Sequence, residues 1–138
     1  LSKKKAMSLS DQFCVERHRN SFLNLVKNKL DITFANEQEI KSLISANNFE
    51  EVITFGKELG KLLVITRGEK GSIAIKNNEV TECGSKSNLK IIDLTGAGDL
   101  FAAGFLHGYI NDYTTKESLE KGTEMSSKII QKVGARLN

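Results

Sequence analysis

Short apolar runs alternate with longer amphipathic stretches along this chain. The short runs predict β-strands, which cover residues 6–9, 32–35, 62–66, 72–76, 80–83 and 89–93. The longer stretches repeat apolar residues every three or four positions, which predicts amphipathic helices. These helices cover residues 37–45, 49–61, 97–110 and 116–133, and an earlier helix carries Phe22, Val26 and Leu30 on one face.

Strands that alternate with helices predict an α/β fold of three layers, with a mostly parallel sheet covered by helices on both faces. Asn77-Asn78 separates two of the strands and predicts a hairpin turn, which adds an antiparallel piece. Gly134 is the predicted C-terminal cap of the last helix. The helix at 49–61 is predicted to face the core with Val52, Phe55 and Leu59.

Polar residues follow three of the predicted strands. Ligands of open α/β sheets bind where the carboxyl ends of strands meet the amino ends of helices. The candidate positions are therefore Ala35/Asn36, Thr66/Arg67 and Asp93/Leu94.

The third strand end opens the sequence Asp93-Leu94-Thr95-Gly96-Ala97-Gly98-Asp99. Two glycines between a strand and a helix make a tight turn, and the first N–H groups of the helix can hold a phosphate or a developing oxyanion. Asp99 puts a carboxylate beside that anion. It either accepts a proton from an attacking hydroxyl or only stabilises the helix start by about 0.3–1 kcal/mol, and local physics leaves both open.

Composition narrows the function classes. The chain has 138 residues, of which 39% are hydrophobic and 27% charged, enough for one globular domain. A net charge of +3 without a basic and aromatic stripe gives no support for nucleic-acid binding, and no apolar run is long enough to span a membrane. Cys14 and Cys83 lie far apart, which favours two unpaired thiols in a reducing cytoplasm. His18 and His107 have no evident partners and are interpreted as ordinary helix residues.

Three segments together resemble the ribokinase-like (PfkB) carbohydrate kinase family. They are the glycine motif at 93–99 with Phe101 and Gly104, the Asn36-Glu37-Gln38-Glu39 element, and Thr66-Arg67-Gly68-Glu69-Lys70-Gly71. Within that family, the chain is most similar to the bacterial adenosine kinase branch in residues 9–19, Phe34-Ala35-Asn36-Glu37 and Gly134-Ala135-Arg136. The resemblance covers essentially the whole chain.

The resemblance implies ATP, Mg²⁺ and a small nucleoside or sugar as ligands, with a role for each motif residue. Asp99 would be the general base, and Gly96, Ala97 and Gly98 the anion hole for the transferred phosphoryl group. The remaining roles form one set: Asn36 and Glu39 for Mg²⁺ and its waters (with Asn36 close to the phosphates), Thr66, Gly68 and Gly71 for the nucleotide, Thr123 for adenine, and Asp93 and Gly134 for a monovalent cation such as K⁺.

Structural alternatives accompany two of these motifs. Asn36 and Glu39 also have the spacing of a helix capping box, with Asn at the N-cap and Glu at the third helical position. Thr66-Arg67-Gly68 taken alone predicts only a turn. The three motifs in their order nevertheless favour the functional interpretation.

The predicted activity is ATP-dependent phosphorylation of a nucleoside or sugar hydroxyl, with adenosine converted to AMP. The alternatives are a kinase for a free sugar such as ribose, fructose or 2-keto-3-deoxygluconate, a kinase for a vitamin alcohol, and a non-catalytic nucleotide-binding module. Residues 1–138 correspond to the C-terminal, nucleotide-binding part of the family domain, and nothing in them matches the N-terminal lid and substrate region. We therefore expect this chain alone to be inactive; its sequence predicts no oligomeric state.

Overall fold

The structure, a computed structural model, describes residues 5–9, 12–84 and 97–137. It describes the side chains of all these residues except 12–14, 69, 97–99 and 127–137. Its elements in chain order are β1 (Ala6–Ser8), α1 (Gln12–Arg17), α2 (Arg19–Asn24), a π-helical turn (Leu25–Lys29), β2 (Ile32–Asn36), α3 (Glu37–Ile44), α4 (Phe49–Leu59), β3 (Leu62–Thr66), a 3₁₀ turn (Gly68–Lys70), β4 (Ser72–Lys76), β5 (Glu79–Cys83), α5 (Ala97–Ile110) and α6 (Thr115–Leu137). The predicted strand at 89–93 lies outside the described residues.

The described strands form one sheet in the order β1-β2-β3-β4-β5. β1 pairs with β2, and β2 with β3, both in parallel, as the alternation of strands and helices predicts. The first four residues of β2 and of β3 are all buried, which is the pattern of parallel strands covered on both faces. β4 and β5 follow as neighbours joined at Asn77-Asn78, where Asn77 has φ 56° and the predicted hairpin turn forms.

The first helical region differs from the single helix that the sequence predicts. The helix breaks at His18, whose backbone (φ −120°, ψ 35°) is not helical, and it widens into the π-helical turn at Leu25–Lys29. Val26 is fully buried, but Leu30 already has extended backbone (φ −96°, ψ 138°) and is buried as the chain turns into β2. The apolar spacing therefore identified two buried residues, whereas Phe22 is half-buried, and it did not indicate the breaks in the helix.

Asparagine side chains start both helices that pack near β2 and β3. Asn36 caps α3, and Asn48 caps α4 by accepting a hydrogen bond from the Glu51 N–H. α4 ends at Leu59 rather than at the predicted residue 61, because Gly60 turns the chain out of the helix at φ 72°. On α4, Val52 is buried as predicted, whereas Phe55 and Leu59 are half-buried, and Gly56 is the second buried position.

The chain folds as two compact units, Leu1–Thr66 with Ala74–Val80 and Arg67–Ile73 with Thr81–Asn138. In the second unit α5 and α6 pack closely through glycines. A Cβ on Gly104 would lie 2.7 Å from the Lys121 carbonyl oxygen, and one on Gly122 would lie 2.8 Å from that of Phe101. Close helix packing therefore explains Gly104.

The extent of α6 contradicts one prediction. The helix continues through Gly134 to Leu137, so Gly134 is not a C-terminal cap. A glycine inside a helix costs only about 1 kcal/mol relative to alanine, which a helix of 23 residues tolerates. In the described part of the chain, no helix has the length and apolar character needed to cross a membrane.

The glycine contact between α5 and α6 generates a stability prediction. Gly104→Ala should lower the free energy of unfolding by about 1–3 kcal/mol, because the new methyl group meets backbone atoms that cannot rotate away. Gly84→Ala is the matched control, since a Cβ there meets nothing within 4 Å. Chemical unfolding curves measure both, and equal midpoints for the two variants would contradict the close packing.

Candidate functional site

The carboxyl ends of β2 and β3 bring two predicted site residues to one edge of the sheet. Asn36 and Thr66 are the last residues of their strands and are partners in the parallel register. β1 ends at the same edge, where the N–H of Leu9 donates to the Phe34 carbonyl oxygen at 2.8 Å. This edge is where ligands of parallel sheets bind.

Asn36 and Glu39 form a complete capping box at the start of α3. The Glu39 N–H donates to Asn36 Oδ1 at 2.7 Å, and the Asn36 N–H donates to Glu39 Oε1 at 2.9 Å. Glu39 is only 6% exposed. The capping box that the spacing allowed is therefore present, and it holds a buried carboxylate beside the end of β2.

The chemistry of this pair fits Mg²⁺, which takes oxygen ligands from one or two carboxylates and completes its shell with waters and substrate phosphates. Among the described residues, no group of three or more His, Cys, Asp and Glu side chains could hold a metal ion. An amide oxygen and a carboxylate at this edge suit an ion whose other ligands are water and nucleotide.

The turn after β3 carries the next two predicted nucleotide residues. The N–H of Arg67 donates to the Gly71 carbonyl oxygen at 2.8 Å and closes the loop around the 3₁₀ turn. Gly71 adopts φ 93°, and a Cβ on it would lie 2.0 Å from the Cys83 carbonyl oxygen, so packing alone requires this glycine. At Gly68 a Cβ would meet nothing within 4 Å, so its backbone remains open to a ligand.

Cys83 contacts Gly71 and Thr123, two residues that the sequence assigned to the nucleotide site. Its backbone contacts Gly71, and its Sγ lies 3.9 Å from Thr123 Oγ1 on α6. The Thr123 hydroxyl also donates to the Leu119 carbonyl oxygen at 2.9 Å. Cys83 is a buried free thiol. The sequence did not indicate these contacts of Cys83, because an isolated cysteine at the end of a strand forms no motif.

α5 begins at Ala97, inside the glycine motif, so that Gly98 is its second residue and Asp99 its third. The first N–H groups of a helix have no partner within the helix and carry partial positive charge. An anion site at this helix start remains a prediction from the sequence. Gly96 and Asp93 lie outside the described residues, and Gly134 lies within α6.

The predicted residues therefore fall into two groups. The first unit holds Asn36, Glu39 and Thr66 together at the edge of β2 and β3. The second unit contains Gly68, Gly71 and Thr123, with Cys83 between the last two, and also the start of α5. His18 lies at the break between α1 and α2, and His107 is exposed on α5.

The chain is similar to known proteins in both sequence and fold. Residues 2–138 match the pfkB family carbohydrate kinase profile. The chain is similar to the crystal structure of adenosine kinase from Sinorhizobium meliloti, with 36% identity and a TM-score of 0.87 over 94% of this chain and 40% of that one. It is 33% identical to the ATP-dependent 6-phosphofructokinase of Thermoanaerobacterium thermosaccharolyticum, over 78% of this chain and 33% of that protein.

A third relative is named for another nucleoside. The cytidine kinase of Thermococcus kodakarensis is 33% identical over 84% of this chain and 42% of its own length. The chain thus spans less than half the length of these three relatives. The ribokinase-like fold that the motifs predicted is confirmed. Since the family profile matches all but the first residue, the chain belongs to the pfkB family of carbohydrate kinases.

Proposed function

We propose that the chain is the nucleotide-binding part of an ATP-dependent kinase that phosphorylates an alcohol hydroxyl, with adenosine as substrate and AMP as product. The observation that carries the proposal is the start of α5 inside the glycine motif, which puts Asp99 in the first helical turn. That position combines backbone N–H groups for a phosphoryl group with a residue able to accept a proton.

In the proposed reaction, Asp99 accepts the proton of the substrate hydroxyl as its oxygen forms a bond to the γ-phosphorus of ATP. The bond between that phosphorus and the β,γ-bridging oxygen breaks, and ADP leaves. Because the transition state is loose, orientation of the hydroxyl is a large part of what such a base supplies. Gly96, Ala97 and Gly98 donate backbone N–H groups to the phosphoryl oxygens, where negative charge is concentrated.

Asn36 and Glu39 would position Mg²⁺ and its waters. Their oxygens lie at the edge of the sheet and fit Mg²⁺ through water, as the capping box keeps the carboxylate in one position. When bound, Mg²⁺ neutralises charge on the β- and γ-phosphates. K⁺ near Asp93 and Gly134 is part of the proposal on resemblance alone.

Thr66, Gly68, Gly71 and Thr123 would line the nucleotide. Gly68 supports this because nothing lies within 4 Å of the position of its missing Cβ. Thr123 lies beside Cys83, which adds a soft, buried surface to the same part of the second unit. The free thiol is also consistent with a reducing, cytoplasmic location.

Adenosine is favoured by the similarity to the adenosine kinase structure and by residues 9–19 of the sequence. A free or phosphorylated sugar is the second candidate, because a 6-phosphofructokinase is similar over 78% of the chain. Both candidates use the same base and the same anion hole.

Asp99→Asn tests the base. In the complete gene product, turnover should fall by about 10²–10⁴-fold, while ATP affinity changes little because the backbone N–H groups remain. Steady-state kinetics and direct ATP binding measure the two effects. The control is Asp112→Asn, at an exposed residue with φ 63°, a conformation that asparagine also tolerates. A variant that keeps most of its turnover would remove Asp99 from the mechanism.

Glu39→Gln separates the metal role from the cap. Glutamine still accepts the hydrogen bond of the capping box, so the free energy of unfolding should change by well under about 1 kcal/mol. The Mg²⁺ concentration for half-maximal activity should rise, because the charge is lost. Unchanged Mg²⁺ dependence would leave Glu39 with a structural role alone.

A substrate panel tests the acceptor. Adenosine, cytidine, ribose, fructose, fructose 6-phosphate and 2-keto-3-deoxygluconate are compared by kcat/KM in the complete gene product. We expect adenosine to exceed the others. A preference for a sugar by about tenfold, equivalent to about 1.4 kcal/mol, would overturn the choice of substrate and leave the kinase activity standing.

A further inference from the structure

Two side chains at the corner between α1 and α2 form hydrogen bonds with the last turn of α3. The Arg19 Nε donates to the Ser42 carbonyl oxygen at 3.1 Å, and the Ser42 hydroxyl donates to Glu16 Oε1 at 3.3 Å. Both partners come from residues 16–19, a segment for which the proposed reaction has no role. Ser42 is therefore held through its backbone and through its side chain.

The opposite end of the same helix carries the capping box. Glu39 and Ser42 are three residues apart, so they lie on neighbouring positions of one helix face. α3 has only eight residues, and a helix of that length is not stable by itself. Its orientation, and with it the position of the Glu39 carboxylate, must therefore come from the contacts at its ends and along its face.

The C-terminal end of α3 closes on its own backbone, where the Ala46 N–H donates to the Lys41 carbonyl oxygen at 2.9 Å, and it also receives a hydrogen bond from Arg19. The helix stops at Ser45, which has a left-handed backbone (φ 54°, ψ 43°) that non-glycine residues rarely adopt. The Ser45 N–H reaches the Ser42 carbonyl oxygen only at 3.4 Å, so Arg19 supplies the shorter hydrogen bond to that oxygen. The negative end of the helix dipole also stabilises a guanidinium group at this position.

We propose that Arg19, assisted by Glu16, is a positioning residue that sets the place of Glu39 through α3. This inference rests on the proposed function, in which Glu39 serves Mg²⁺ bound with ATP. Residues 16–19 act on one end of the helix, and the metal-side carboxylate is held at the other. Residues 16–19 thereby acquire a role in placing the metal-side carboxylate.

The test compares Arg19→Ala with Arg17→Ala in the complete gene product, since Arg17 is an exposed arginine two residues earlier. Binding of Mn²⁺ with a non-hydrolysable ATP analogue is measured by electron paramagnetic resonance, and Mg²⁺ dependence by activity. Hydrogen exchange of the Glu39 N–H reports the capping box directly. Arg19→Lys tests rescue, because a lysine can still donate to the Ser42 carbonyl oxygen.

We expect Arg19→Ala to weaken metal binding by about three- to tenfold, in the range typical of coupling through packed elements. Exchange of the Glu39 N–H should accelerate, the KM for the acceptor should stay the same, and Arg19→Lys should recover part of the loss. Arg17→Ala should match the unmodified protein. In a Glu39→Gln background, Arg19→Ala should have no further effect on metal binding.

Two results would overturn the proposal in different ways. If Glu39→Gln weakens metal binding but Arg19→Ala behaves like Arg17→Ala, or lowers only the melting temperature, Arg19 has no positioning role and the proposed function stands. If Glu39→Gln leaves metal binding unchanged, the metal role of Glu39 fails, and the positioning role fails with it.

Discussion

The parallel pairing of β2 with β3 is the constraint on which the candidate site depends. Five register pairs run from Ile32 and Leu62 to Asn36 and Thr66. The four pairs before the last are buried, so a slip of one residue would exchange the side chains of the two faces. The burial that fixes this register also brings the last residues of both strands to the same edge.

Several residues at the site have a structural task as well as a proposed chemical one. The hydrogen bonds that make Asn36 and Glu39 a capping box also keep the carboxylate buried beside the strand end. Gly71 is required by its contact with the Cys83 carbonyl oxygen, whether or not a nucleotide approaches it. Such double use explains why each motif alone supports a structural interpretation, and why their order along one chain is more informative than any one of them.

The sequence predicted best where local chemistry and tertiary packing agree. The buried strands β2 and β3, the cap at Asn36, and the starts of α4 at Phe49 and of α5 at Ala97 all follow from residue types that act over a few positions. It predicted poorly where the local signal is weak. The break at His18, the π-helical turn and the continuation of α6 through Gly134 have no strong local signal.

The candidate site divides in the same way. Its motif residues could be chosen from spacing and family resemblance, but the two residues that join or support them could not. Cys83 is identified only by its contacts with Gly71 and Thr123, and Arg19 only by its hydrogen bond to Ser42.

In the proposed reaction, the start of α5 receives the transferred phosphoryl group. A crystal structure of the complete gene product with Mg²⁺ and a non-hydrolysable ATP analogue tests this role most directly. We expect γ-phosphate oxygens at about 3 Å from backbone nitrogens at this helix start, and a nucleotide bound with its phosphates elsewhere would contradict the proposed reaction.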